Sequence, residues 1–256
     1  MLDNKKRHKQ VAQRGIVGKN EDGRQNFRQD ELYRIPAPLI QEIVNALEYN
    51  FRYKLSVSIY MSIVKLIHKA LSDTDVRRIL GHDTKVIKYS ELSHYDDLNQ
   101  LLPKDTDYCI ILYEDHPDHG HWVGLSKYDG QFEHFDSYGL KPDKELEWVN
   151  VKMRIKLLEK EPYLSNLLKQ EKYIYNTVKY QQSDIGVNTC RAHVVHRLYR
   201  LKTQDMDLDA YHTYMLQLKD DFNTSYDVVV AEFVQLLIHT LRCKLKTVLL
   251  LHQAVL

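Results

Sequence analysis

The chain has 256 residues, of which 43% are hydrophobic and 28% charged, with a formal net charge of +1 at pH 7. That length is enough to bury a real core, and the composition excludes a disordered or fibrous protein. Three cysteines, at positions 109, 190 and 243, exclude a full disulfide framework and form no CxxC zinc pattern, so a reducing compartment is expected.

The near-neutral total conceals a basic beginning. Lys5, Lys6, Arg7, Lys9, Arg14, Lys19, Arg24 and Arg28 face only Asp3, Glu21 and Asp22 before residue 29. Residues 1–30 lack apolar periodicity and the apolar core of a signal peptide, so they read as a basic, mobile arm that is not a secretion signal. Order is expected near Leu32, and residues 31–84 read as a helical extension, with Tyr60, Ile63, Val64, Ile67 and Leu71 on one stripe. Asp73 or Thr74 is a candidate cap for a short helix ending at Gly81, and Val86–Tyr89 reads as a strand.

The run Asp107–Glu114 is aromatic and branched, as in a buried strand. His121–Tyr128 and Gln131–Ser137 then flank Asp129-Gly130, the dipeptide that supplies the two positive φ angles of a type I′ turn. Segment 143–170 reads as mostly helical, divided by Pro162, and Tyr173–Tyr180 as strand-like. Asn188 and Thr189 are good cap residues for a helix over Arg191–Leu201. The apolar stretch Val228–Leu256 is interrupted by Arg242, Lys244 and Lys246, so it predicts a packed helical tail over residues 236–256 and no membrane span. Helices, a strand cluster and then helices again predict an α+β fold, a small mixed sheet flanked by helices.

The hairpin permits a geometric deduction. A two-residue turn pairs Tyr128 with Gln131, Val123 with Asp136 and His121 with Tyr138. His121 and Asp136 are then diagonal neighbours on one face, with Cβ atoms roughly 6–8 Å apart. A carboxylate on one ring nitrogen fixes the tautomer and leaves the other nitrogen free to take a proton. Cys190 at a helix N-terminus supplies a thiol whose thiolate is favoured by open N–H groups, by the helix dipole and by a protonated His121.

Gly120-His121-Trp122-Val123, then Phe135-Asp136-Ser137-Tyr138-Gly139, then Gln181-Gln182 ahead of Asn188-Thr189-Cys190 resembles the adenain and Ulp-type cysteine peptidases of clan CE. The wording is most similar to the capsid-maturation proteases of virophages, polinton-like elements and large DNA viruses. The resemblance spans residues 85–235 and implies a papain-like or adenain-like core with His121, Asp136 and Cys190 as catalytic triad. It further implies an oxyanion-hole amide from Gln181 or Gln182, with Gln181 preferred because it follows Tyr180 at the end of the expected strand, and Trp122 as a shield over the dyad. No cofactor is implied. The implied substrates are viral structural or precursor polypeptides, and the implied location is the virion or the host cell interior. Where these families carry glycine after the nucleophile, this chain has Arg191.

Other readings compete. The same fold would serve a ubiquitin-like or SUMO-like deconjugating peptidase. A metal-binding protein would use His116, His119 and His121, or Cys190, His193 and His196, although successive third positions diverge around a helix and leave His193 and His196 as surface or packing residues. The basic arm is a candidate for non-specific DNA contact.

Overall fold

A computed structural model describes residues 65–104, 106–184 and 186–255. The basic arm, the start of order near Leu32 and the stripe residues Tyr60, Ile63 and Val64 lie outside the described residues. Of that stripe, Ile67 ends a helical turn and Leu71 falls beyond it. The fold is α+β, a five-stranded mixed sheet in the order β1-β2-β3-β4-β5 flanked by helices. Among the described residues no helix is long and apolar enough to cross a membrane.

Helix α1 (Asp73–Leu80) is capped one residue before the expected position, because the Ser72 hydroxyl accepts the Asp75 N–H. It stops at Gly81, and β1 (Lys85–Lys88) follows. A 3-10 helix over Tyr89–His94 and the short α2 (Leu98–Leu101) lead to β2 (Tyr108–His116). The hairpin is β3 (His119–Tyr128) and β4 (Gln131–Asp136). Asp129 and Gly130 have φ of 47° and 73°, as a type I′ turn requires, and the register pairs Tyr128 with Gln131 and Val123 with Asp136 as expected.

Segment 143–170 is helical as expected, but in three short pieces. It holds a 3-10 turn over Lys144–Trp148, α3 (Val151–Lys156) and α4 (Tyr163–Leu168), the last starting after Pro162. Only Tyr173–Tyr175 forms a strand, β5, parallel to β4. It ends where the Asn176 side chain bonds the Asp136 backbone in place of a ladder bond. Helices α5 (Cys190–Gln204), α6 (Leu208–Phe222) and α7 (Tyr226–Val255) complete the chain. Helix α7 runs unbroken through residue 236, where a separate tail was expected.

Two apolar layers sandwich the sheet. Val76 and Leu80 of α1, Val194, Val195 and Leu198 of α5, and Val230 and Val234 of α7 pack with Ile110 and Phe135. On the other face Leu92, Leu98, Leu101 and Leu164 pack with Ile111, Val123, Leu125 and Phe132. Each such side chain, fully buried, contributes about 1.5–3 kcal/mol. Gly124 lets α5 approach β3, since a Cβ there would lie 3.1 Å from Val194 Cγ1.

Helix α5 is also locked by charge. Arg197, with no exposed surface, grips Glu133 of β4 by bonds of 2.7 and 2.5 Å and donates to the Met206 carbonyl at 2.7 Å. Removing one partner strands the other charge in the core. Arg197→Ala is therefore expected to lose about 3–5 kcal/mol in urea unfolding, while the double change Arg197→Met with Glu133→Leu recovers most of that loss. A single variant within about 1 kcal/mol of the parent would show that water reaches the pair.

Candidate active site

The β3–β4 ladder ends at the Val123–Asp136 pair, so the expected pairing of His121 with Tyr138 is absent. The chain turns away after Asp136 because Asn176 takes over its backbone, accepting its N–H at 2.8 Å and donating to its carbonyl at 2.7 Å. His121 remains held by β2 opposite Tyr113. Its ring is thereby left free beyond the hairpin ladder and reaches Asp136 directly, Nε2 to Oδ1 at 2.5 Å.

The motif glycines have steric causes. A Cβ on Gly120 would lie 1.9 Å from the Tyr113 carbonyl oxygen, and one on Gly139, at φ 73°, would lie 2.9 Å from the Thr177 backbone. The turn that Gly139 permits aims two more donors at the Asp136 carboxylate: the Tyr138 N–H on Oδ1 at 3.1 Å and the Leu140 N–H on Oδ2 at 2.9 Å. Burial pushes the Asp136 carboxyl up. His121 and the Tyr138 N–H outweigh it and hold the group below the ordinary carboxylate range.

Cys190 is the first residue of α5, as expected, but neither candidate residue caps the helix. The Thr189 hydroxyl donates to Asp227, and the Asn188 amide donates to the His68 carbonyl at 3.0 Å. The helix N-terminus therefore keeps open N–H groups. The Cys190 sulfur lies within hydrogen-bonding reach of the His121 ring and of the Trp122 and Arg191 N–H groups. Asp136 occupies Nε2, which leaves Nδ1 as the remaining ring nitrogen. Burial disfavours the thiolate, yet the His121 contact and these two N–H groups lower the Cys190 pKa below its usual value. Burial likewise opposes a charged His121, but Asp136 and the sulfur raise its pKa to about 10.

The two glutamines separate. Gln181 is buried, its Oε1 accepting from the Ser137 hydroxyl at 2.7 Å and its Nε2 donating to the Val187 carbonyl at 3.3 Å. That arrangement fixes which end of the amide carries the N–H groups. Gln182 has an exposed side chain, and its backbone N–H goes to Asp227 at 3.0 Å.

Trp122 does not cover His121. Strand alternation puts it on the opposite face, where the Arg191 guanidinium stacks 3.8 Å from its ring centroid. The rings against His121 are Tyr138, stacked at 4.8 Å, and Trp148, edge-on at 5.5 Å. Arg191 itself donates to the Leu71 carbonyl at 2.8 Å and pairs with Asp73.

The metal alternative divides. Cys190, His193 and His196 do not converge: His193 bonds Asp227 at 3.0 Å and His196 bonds the Tyr211 hydroxyl at 2.8 Å. Both histidines are wholly buried, so neither is a surface residue; α7 and α6 cover them. His116 and His119 do meet, with Asp115, in an exposed cluster that could hold an ion, but His121 is not part of it. His121, Asp136 and Glu145 also bring three donor atoms within 4.8 Å. Of that group, the His121 Nε2 is already bonded to Asp136.

Trp148, Asn176, Glu145 and Asp227 escaped the sequence reading, and Tyr138 entered it only as a strand partner and motif residue. The others come from segments without periodicity or from a helix far along the chain.

The three thiols sit in different settings. Cys109 is buried in the sheet, which pushes it up to about 12, whereas Cys190 lies beside His121, which lowers its pKa. A small electrophile at mildly acidic pH is expected to modify Cys190 selectively, and His121→Ala to abolish that selectivity. Equal labelling of Cys190 and Cys243, read by mass spectrometry, would count against an activated thiol.

No protein-family model matches the chain. Uncharacterized protein V9 of Sputnik virophage is 30% identical to it over 172 residues, a match that covers 66% of this chain and 93% of the relative. With nearly the whole of that viral protein matched, the chain belongs to the family of virophage protein V9.

Proposed function

We propose that the protein is a cysteine endopeptidase that cleaves viral structural or precursor polypeptides during virion maturation. The observation that carries this reading is the contact chain Cys190–His121–Asp136, with the buried carboxylate 2.5 Å from the imidazole and two backbone N–H groups on the sulfur. An ordinary cross-strand pair would not place a cysteine with open helix N–H groups on the remaining ring nitrogen. Kinship with a virophage protein supports the viral setting.

In the reaction the Cys190 thiolate attacks the scissile carbonyl carbon, and the C=O electrons move to oxygen. The oxyanion is met by the Cys190 N–H and the Gln181 amide. As the C–N bond breaks, His121 gives its Nδ1 proton to the leaving amine. Water then attacks the thioester while His121 takes its proton, and the thiolate leaves. Asp136 keeps the ring oriented and stabilises its charged form.

Cys190→Ala and His121→Ala are expected to abolish cleavage of viral structural-protein fragments without loss of fold. Asp136→Asn should cause a large but less complete loss. Gln181→Ala should lower turnover by about a hundredfold or more while Cys190 stays reactive, whereas Gln182→Ala should stay near the parent rate. Cleavage by Cys190→Ala at the parent rate would defeat the reading. Faster hydrolysis of ubiquitin-like fusions than of structural-protein fragments would transfer the site to deconjugation.

A further inference from the structure

Glu145 is unaccounted for by the chemistry above. It is 1% exposed, and neither carboxyl oxygen has a hydrogen-bond partner among the described residues. An oxygen of this carboxyl lies within 4.8 Å of a ring nitrogen of His121 and of a carboxylate oxygen of Asp136. A buried, unpaired carboxylate so close to a second one is electrostatically costly. The groups facing it are His121 on β3, Asp136 with His134 on the same face of β4, Tyr113 on β2 and Asp143 just before its own 3-10 turn. Tyr113 donates to Asp143 at 3.0 Å, and burial keeps His134 neutral, down to about 4. Among these neighbours His121 is therefore the cation, and among the described residues no lysine or arginine forms an ion pair with Glu145.

Resting on the peptidase reading, we propose that Glu145 is a positioning residue of this site, a second carboxyl that is uncharged while the His121–Asp136 pair works and that, on losing its proton, holds His121 protonated. Burial first, then the Asp136 charge, raises the Glu145 pKa to about 8, against the pull of His121. Below that pH the site carries one buried carboxylate, Asp136, matched to one imidazolium. Above it the Glu145 proton passes to solvent, and the added negative charge favours the imidazolium over the neutral ring. Proton loss from His121, which would end its service as general acid, is postponed to higher pH. The device widens the alkaline range of the site without touching the scissile bond.

Glu145→Gln preserves shape and the uncharged state but cannot ionise. The test compares the intact protein and E145Q across pH by two measurements, each profile scaled to its own maximum. In kcat/KM for peptide cleavage, the alkaline limb of E145Q is expected about one pH unit lower, a tenfold fall in the proton affinity of His121. In alkylation of Cys190, the second rise in rate, where the thiolate loses its imidazolium partner, should move down by the same amount. Coincident limbs, or a limb moved upward in E145Q, would overturn the proposal.

The alkylation profile needs no peptide substrate. A protein that cleaves nothing but shows the shifted alkylation step fails as a peptidase and keeps the Glu145 role. One that cleaves with unshifted profiles does the reverse. Thermal unfolding adds a check independent of Cys190. A group raised from 4.5 to about 8 on folding loses its stabilising contribution as pH rises through that window. The melting temperature of E145Q should gain on the parent between those values, and a difference independent of pH would show that Glu145 is not buried as the neutral acid.

Discussion

A buried carboxylate that accepts three hydrogen bonds organises this site. Asp136 has no exposed surface, yet its oxygens accept from His121, Tyr138 and Leu140. Those bonds offset the desolvation that would otherwise protonate it. They also dictate the local chain path. Two of the donors come from the turn just after β4, which is possible only because Asn176 satisfies the Asp136 backbone that the ladder abandons. The same turn exposes the Ser137 carbonyl to the N–H groups of Tyr180 and Gln181 at 2.8 and 2.9 Å. One residue's hydrogen bonds thus connect the histidine strand to the glutamine segment.

A second buried acid ties down the loop that leads to Cys190. Asp227, on the first turn of α7, accepts from the Thr189 hydroxyl, the Gln182 N–H and His193. Burial works against its charge, and the bonds from His193 and Thr189 outweigh it and hold its carboxyl below the usual range. The loop between Gln182 and Thr189 is pinned at both ends by one carboxylate. Because Thr189 donates to Asp227 instead of capping α5, the helix start keeps N–H groups for the sulfur. Arg191 fixes the same turn from the other side through Leu71, Asp73 and the Trp122 ring. The arginine that replaces a glycine expected from the family resemblance therefore adds a brace between α5, β3 and α1.

The electrostatic result is a thiol in contact with a cation inside a poorly solvated site. His121 draws its charge stability from Asp136 and from the sulfur together, so the three groups share one proton balance. Tyr138 and Trp148 close over the imidazole, and Trp148 remains half exposed. The ring on the solvent side thus comes from a short 3-10 turn that also carries Glu145. Shielding and the extra carboxyl arrive on one element.

The sequence by itself determined what rests on local backbone chemistry. Asp129-Gly130 set the hairpin register, and from that register followed the adjacency of His121 and Asp136. The α+β class and a helix opening at Cys190 were also legible, because strand alternation and helix periodicity are short-range patterns. Only the tertiary structure decided how these parts meet. The burial of Gln181 beside an exposed Gln182 depends on which side chain Ser137 can reach, and the burial of His193 and His196 depends on α6 and α7 lying over α5. The shift of shielding from Trp122 to Tyr138 and Trp148, the capping left unmade by Thr189 and the placement of Glu145 beside Asp136 share that origin. Each joins residues brought together by packing between elements, and such contacts leave no spacing rule in the chain.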